Sequence, residues 1–192
     1  MKDIILIGGG GHCKSVIDVI EHEGNFKIAG IVDKPNLIGT EVLGYKVIAS
    51  DDDLPKLAKK YKHALISIGQ IKSPSLRIQL FDKAVKAGFV LPIIISPNAY
   101  VSKHAKLGSG TIIMHYAIVN SNASIGNNCI VNNKSLIEHD CSISNHCHIS
   151  TNATINGGTS IESNCFIGSN STTKELVTIT KNSFIKAGSL VV

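Results

Sequence analysis

One cluster in this chain has the residue types and spacing for proton transfer: Glu138-His139-Asp140, with His148 nine residues later. An imidazole titrates near neutral pH, so it can act as a general base without a large pKa shift. A neighbouring carboxylate fixes its tautomer and raises its basicity. Carboxylates stand on both sides of His139, and adjacent residues need not face the same way, so Glu138 and Asp140 both remain as its partner. His104, His115 and His146 read as surface histidines. A second cluster suits anion binding. Gly8-Gly9-Gly10-Gly11-His12 follows the apolar run Ile4 to Ile7 and precedes a helical pattern with apolar residues at 16, 17, 19 and 20. A glycine turn lets a ligand approach the backbone, and the helix N-terminus offers free N–H groups. As a dinucleotide fingerprint the turn is incomplete, because Gly8-x-Gly10-x-x-Cys13 lacks a third glycine. Asp33 ends the next apolar run, where an acid can meet a ribose hydroxyl. Phosphate or nucleotide binding is the functional reading and a bare tight turn the plain one. The segment is too short for the two mononucleotide-binding halves of NAD chemistry.

Metal ligation needs another kind of cluster. The five cysteines contain no C-x-x-C pair, and four of them occupy repeat positions that call for small buried groups. His115, His139 and His148 could in principle supply the three ligands of a zinc site between subunits, of the γ-carbonic-anhydrase kind.

The elements that hold these groups differ between the two halves. From Val101 to Val191 every sixth residue is aliphatic except Thr173, and the residue two places before each is small except Val177. A period of six fits neither a helix nor an isolated strand. It fits a parallel β-helix in which each hexad forms one side of a triangular coil and residues 18 apart stack. The pattern weakens from Thr173 to Val177, where an irregular turn is expected. Cys129, Cys147 and Cys165 fall 18 apart as a ladder of free thiols.

The first half reads as an α/β, Rossmann-like domain. Strands are expected at 3–7, 27–32, 64–68 and 90–95, and helices after the glycine turn, at 51–61, and at 73–87 with Ser73 as N-cap and Pro74 next. The domains are therefore 1–96 and 97–192, with Ser96-Pro97 as the hinge. In an open parallel sheet, ligands sit at the carboxyl ends of the strands, which gathers Gly8 to His12, Asp33, Gly69 and Gln70.

Composition sets outer limits. Over 192 residues, 43% are hydrophobic, 5% aromatic and none is Trp, with a net charge of +5 and a pI near 8.9. Both halves can bury a core. The mild basic excess suits small anions such as nucleotide diphosphates or coenzyme A. Without a dense Lys/Arg stripe or stacking aromatics, nucleic acid is not an expected partner. No apolar run reaches the length of a membrane helix, and the start resembles a strand rather than a signal peptide, so a cytoplasmic protein is expected.

Taken together, the Gly-Gly-His turn, the short α/β domain and the hexads containing Ile137-Glu138-His139-Asp140 resemble the bacterial nucleotide-sugar acyltransferases of the sialic-acid and bacillosamine pathways. The UDP-4-amino-sugar N-acetyltransferase type is the nearest resemblance. It implies a left-handed β-helix and acetyl transfer from acetyl-CoA, as co-substrate and without a metal, to the C4 amine of a UDP-linked 4-amino-4,6-dideoxy sugar. His139 matches the family's general base, in a motif formed with Glu138 and Asp140. The family's usual Glu after the histidine is the shorter Asp140 here. Asn132, His148 and Gly157 match acetyl-CoA-binding positions, Gly157 through its backbone N–H, which would stabilise an oxyanion. Gly10, Gly11, His12, Asp33, Ile68 and Gly69 match the nucleotide-sugar pocket. Homotrimers with active sites between subunits are implied. Family chains continue into a Gly-x-Pro-Ala-like tail, so a natural chain longer than Val192 is expected. The rival within acyl transfer is a sugar O-acetyltransferase of the sialic-acid type; a zinc enzyme and a non-catalytic scaffold are the others.

Overall fold

The computed structural model describes all 192 residues. It divides into two compact units, Met1–Gly69 with Ser75–Pro92, and Gln70–Pro74 with Ile93–Val192. No helix is long and apolar enough to cross a membrane.

The first unit is a five-stranded sheet. Strands β1 (Lys2–Ile7), β2 (Phe26–Val32), β3 (Glu41–Val42), β4 (Tyr45–Ala49) and β5 (His63–Ile66) lie in the order β3-β4-β2-β1-β5. The β1, β2, β4 and β5 strands are parallel, and β3 pairs antiparallel with β4. Continuous apolar runs in β1 and β5 are buried, as expected for parallel strands covered on both faces. Helix α1 (Gly11–Glu23) buries Cys13, Val16, Ile17, Val19 and Ile20, and stops at Gly24 in the left-handed conformation. Helix α3 (Ser75–Ala87) buries Leu80, Phe81 and Ala84. It also buries Arg77, the only arginine in the chain, whose Nη1 donates to the carbonyls of Ile66 and Ile68 at 2.8 and 2.7 Å. Those bonds tie down the chain at the carboxyl end of β5.

Four expectations for this half change. The β3–β4 hairpin has no counterpart in the sequence reading; Leu43 and Gly44, both at positive φ, make its two-residue turn. The helix expected over 51–61 shrinks to a 3-10 turn and α2 (Leu54–Leu57), with Asp53 accepting from the Ser50 N–H and hydroxyl. The third helix starts at Ser75, not Ser73. The expected strand 90–95 divides: Val90 only bridges His63, and Ile94–Ile95 pairs with Ile112–Ile113 as the first rung of the coil. The hexad rule therefore runs one step further back than Val101, to Ile95, and the coil begins before the expected boundary at 96.

The second unit is the expected parallel β-helix. Its two-residue strands stack in three sheets, each strand parallel to the one a coil later, so that Val101, Val119, Ile137 and Ile155 lie side by side. The aliphatic ladder and the small residues beside it form one buried core. Each fully buried aliphatic residue contributes about 1.5–3 kcal/mol. The five cysteines are free and buried. Thr173 keeps its interior place, wholly buried, and the coil continues through Ile179 to Val191 rather than failing there.

A second six-residue signal marks the corners. Every sixth residue from Gly110 to Gly188 has φ near +60°, and most are Asn or Gly, the residues that tolerate it. The exceptions are Tyr116, Lys134, Asp140, His146 and Leu176. Each bears a steric strain of about 1–2 kcal/mol, so these corners are where function is sought.

The three faces differ. The first presents Tyr100, Ile118, Leu136, Thr154, Thr172 and Leu190 outward, with Tyr100, Ile118 and Leu190 exposed. The second is polar, with Lys106, Ser124, Ser142, Ser160 and Thr178. The third presents Ile94, Ile112, Ile130, His148, Phe166 and Phe184, buried except for Phe184.

Candidate active site

His139 stands on the corner that joins the first face to the second, just after the strand Leu136–Ile137. Its Nδ1 is 2.8 Å from Asp140 Oδ2. A carboxylate only accepts, so Nδ1 carries the proton and Nε2 is left with a lone pair. Asp140 reaches back despite its short side chain because it lies in the left-handed region, at φ 60°. Asn122, one coil earlier, donates to its other oxygen at 2.7 Å. Glu138 takes a different role: Oε2 accepts from Asn120 Nδ2 at 2.9 Å and from the His139 N–H at 3.4 Å, not from the imidazole.

The charges follow from this geometry. The hydrogen bond to Asp140 raises the His139 pKa above its ordinary 6.5, with Asp140 and Glu138 adding charge attraction. The bonds from Asn122 and then His139 hold Asp140 below the usual carboxylate range. A base role for His139 requires the neutral ring, and so predicts an acid limb of kcat/KM above the ordinary imidazole value. Asp140→Asn removes the charge that holds the proton. The limb then moves to lower pH and the plateau falls about tenfold with the lost basicity. A pH profile of kcat/KM for both forms checks this, and a limb that stays in place or rises contradicts the pairing.

The imidazole lies over Gly157, one coil further on. A Cβ at Gly157 would stand 2.9 Å from His139 Cε1 and 3.0 Å from Nε2, so the close approach needs glycine. Around them Glu138, Asn156, Gly158, Glu175 and Leu176 enclose an open depression of about 540 Å³. Glu175 and the exposed, strained Leu176 were not singled out from the sequence. The break in the Asn/Gly corner pattern at Leu176 was the available signal.

Asn132 and His148 are brought together on another edge. Asn132 follows the strand Ile130–Val131 of the third face, and its Nδ2 lies 3.2 Å from His148 Nε2. The His148 Nδ1–H donates to the Gln70 carbonyl, and the ring meets Phe166 edge-on at 5.2 Å. Asn132 Oδ1 accepts from the Asn133 N–H at 2.8 Å. This buried imidazole is thus fixed in one tautomer, with Nε2 as acceptor. Within the coil, then, His139, Asp140 and Gly157 share one edge, while Asn132 and His148 share another; the first face lies between them. His115 pairs with Ser96 through Nδ1 at 2.6 Å. Within one chain, no three His, Cys, Asp or Glu side chains gather as a metal site.

In the first unit, the glycine turn, Asp33, Ile68 and Gly69 do come together. Gly8 has φ +106°, and a side chain there would collide with Ile68. Asp33 Oδ2 accepts from the Gly9 N–H at 2.6 Å and Oδ1 from the Lys34 N–H at 2.7 Å, so its carboxylate braces the turn. His12 adjoins Gly69, and nothing lies within 4 Å of a Cβ built on Gly10 or Gly11. A pocket of about 110 Å³ opens beside Gly8, Asp33, Lys34, Ile68 and Leu76. In α1, burial pushes the Cys13 thiol up to about 11, which leaves it inert.

A hexapeptide coil with a carboxylate-paired histidine at one edge, carried behind a glycine-turn α/β domain, defines a hexapeptide-repeat acyltransferase. Comparisons with known proteins agree. Residues 3–84 match the PglD N-terminal domain, 104–139 the bacterial transferase hexapeptide (six repeats), and 158–192 the hexapeptide repeat of succinyl-transferase. No curated protein matches the chain. Among solved structures, a histidine-to-asparagine variant of perosamine N-acetyltransferase from Caulobacter crescentus, in complex with CoA and GDP-perosamine, is similar at a TM-score of 0.93 and 32% identity, over 100% of this chain and 89% of that one. The acetyltransferase domain of PglB from Neisseria gonorrhoeae FA1090, in complex with acetyl coenzyme A, is similar at 0.89 and 27%, over 99% and 92%. WeeI from Acinetobacter baumannii AYE, at 22% identity and a TM-score of 0.76, shares the fold. The chain belongs to the hexapeptide-repeat sugar N-acetyltransferases that carry a PglD-type N-terminal domain.

Proposed function

We propose that this protein transfers the acetyl group of acetyl-CoA to the amine of a nucleotide-linked amino sugar, with a UDP-linked 4-amino-4,6-dideoxy sugar as the expected acceptor. The amine nitrogen attacks the thioester carbonyl carbon, a C–N bond forms, and the C–S bond breaks. His139 Nε2 takes the proton the amine loses, and the departing CoA sulfur leaves as thiolate and is protonated. Asp140 holds the imidazole, and Glu138 adds negative charge beside it. The Gly157 N–H stabilises the oxygen of the tetrahedral intermediate. Asn132 and His148 contribute to the acetyl-CoA site, and Gly10, Gly11, His12, Asp33, Ile68 and Gly69 of the α/β domain hold the nucleotide sugar. The observation that carries this reading is the His139–Asp140 pair over Gly157, in a chain 32% identical to a sugar N-acetyltransferase.

The working form is a homotrimer in the cytoplasm. Support comes from the first face, where exposed Tyr100, Ile118 and Leu190 lie between the His139 edge and the Asn132–His148 edge. Packing that face against its copies would bring the His139 edge of one subunit beside the Asn132–His148 edge of the next and exclude water from a long coenzyme.

The test is an acetyl-CoA assay with a panel of UDP- and GDP-linked 4-amino sugars and their 4-hydroxy counterparts. Release of CoA thiol with an N-acetylated product is expected with at least one amine, and most strongly with a UDP-linked one. No release with any amine, or release with hydroxyl acceptors only, overturns the reading.

A further inference from the structure

The interior ladder of the coil has one polar rung, Thr173, and it lies one coil beyond the strand that leads into Asn156 and Gly157. On this edge the first corner residue of each coil donates its backbone N–H to an interior carbonyl of the next. Ser102 donates to Val119, Asn120 to Ile137, Glu138 to Ile155 and Lys174 to Val191, all at 2.7–2.9 Å. Asn156 departs from this rule. Its N–H donates to the Thr173 hydroxyl at 2.9 Å, and its side-chain Nδ2 donates to the Thr173 carbonyl at 2.7 Å. The threonine hydroxyl has replaced the ladder carbonyl, and the carbonyl has been handed to the asparagine amide. Pairing between these strands accordingly falls to Thr154 with Thr172 alone.

The next residue feels the exchange. At the equivalent corner positions one and two coils earlier, the His139 N–H donates to Glu138 Oε2 at 3.4 Å and the Ser121 N–H to Asn120 Oδ1 at 2.9 Å. In each case the preceding side chain covers the N–H. Asn156 does not, because Thr173 holds its amide. The N–H of Gly157, beside the imidazole of His139, therefore has no acceptor within the chain. A donor already oriented and uncovered is what an oxygen gaining charge requires, since no protein hydrogen bond must break first.

We propose that Thr173 is a positioning residue: its hydroxyl draws Asn156 off the corner and leaves the Gly157 N–H open to the thioester oxygen as the amine adds. The inference rests on the acetyl-transfer reading and adds a residue to it. It also accounts for a hydroxyl in a ladder that is otherwise aliphatic, where a buried polar group is retained only with partners. Thr159 Oγ1, at 3.2 Å, supplies a further one.

Thr173→Val is the test, because it nearly preserves shape and completes the aliphatic ladder. In the variant, Asn156 N–H returns to the carbonyl of residue 173 and the Asn156 side chain covers the Gly157 N–H. The expected result is a fall in kcat on the order of 10²-fold, with the KM for acetyl-CoA within about twofold and an equal or higher melting temperature. Thr173→Ser, which keeps the hydroxyl, restores most of the turnover. A merely structural role for Thr173 predicts the opposite: a lower melting temperature with kcat intact. A crystal structure of Thr173→Val should show Asn156 Oδ1 accepting from the Gly157 N–H. If wild type transfers acetyl and Thr173→Val does so equally well, or if Asn156 stays off Gly157 in the variant, the proposal is overturned and the acetyl-transfer reading stands. If wild type acetylates no amine, both fall together.

Discussion

His139→Ala is expected to lower kcat by about 10²- to 10⁴-fold, the range a positioned general base contributes, while the melting temperature stays where it was. The side chain is 64% exposed and lies outside the interior ladder, so its loss opens no cavity. The two carboxylates beside it in sequence are poor replacements. Asp140, with its pKa held low by Asn122, is a poor proton acceptor at neutral pH, and Glu138 is engaged by Asn120. A sugar amine partly unprotonated near neutrality asks less of the base than a hydroxyl does, so the low end of the range belongs to N-acetylation and the high end to O-acetylation. Steady-state rates and thermal melts of the purified variant check this. Activity within about tenfold of wild type would show that another group takes the proton.

Gly157→Ala tests the same site from the other side. The added methyl would meet the imidazole at 2.9–3.0 Å, and the ring, on an exposed corner and held by its one hydrogen bond to Asp140, is what gives way. Gly157 is absent from the positive-φ positions, so alanine fits the backbone there without strain. The fold therefore holds while His139 Nε2 is moved. A displacement of about 1 Å in a catalytic group costs on the order of 10² in rate. The expected outcome is that loss in kcat with an unchanged melting temperature and a disturbed pH profile, since the His139–Asp140 bond shifts with the ring. Turnover within about threefold of wild type would mean that the ring position over Gly157 is not the working one.

The two clusters on which the proposed function rests were legible in the sequence. Glu138-His139-Asp140 broke a polar background of Asn, Ser, Thr and Gly, and the Gly8–Gly11 turn followed a strand and opened a helix. Gly157 was reached through family resemblance, and the structure supplies a steric reason for it that the resemblance did not contain. The Leu43-Gly44 hairpin and the early coil start at Ile94 were missed because each rests on only two residues, too short a run for a period to emerge. The corner signal from Gly110 to Gly188 was also present in the sequence, and Leu176, one of the five residues that break it, lines the depression beside His139.

What the sequence by itself determined was the β-helix and its register. A side of the coil repeats every six residues under the same local demands: an aliphatic residue inward, a small one at the bend, and a left-handed residue at the corner. Such a code is steric and short-ranged, so it can be read one hexad at a time. Tertiary structure alone decided which carboxylate orients His139, that Asn132 and His148 pair on a different edge, and that Thr173 exchanges a ladder bond with Asn156. Those choices are made between side chains on neighbouring coils, 16 to 18 residues apart, or by a left-handed backbone at Asp140 that turns a short carboxylate back toward its neighbour. They depend on the rotamer and on the hydrogen-bond partners already taken, and neither is written in the identity of a single residue.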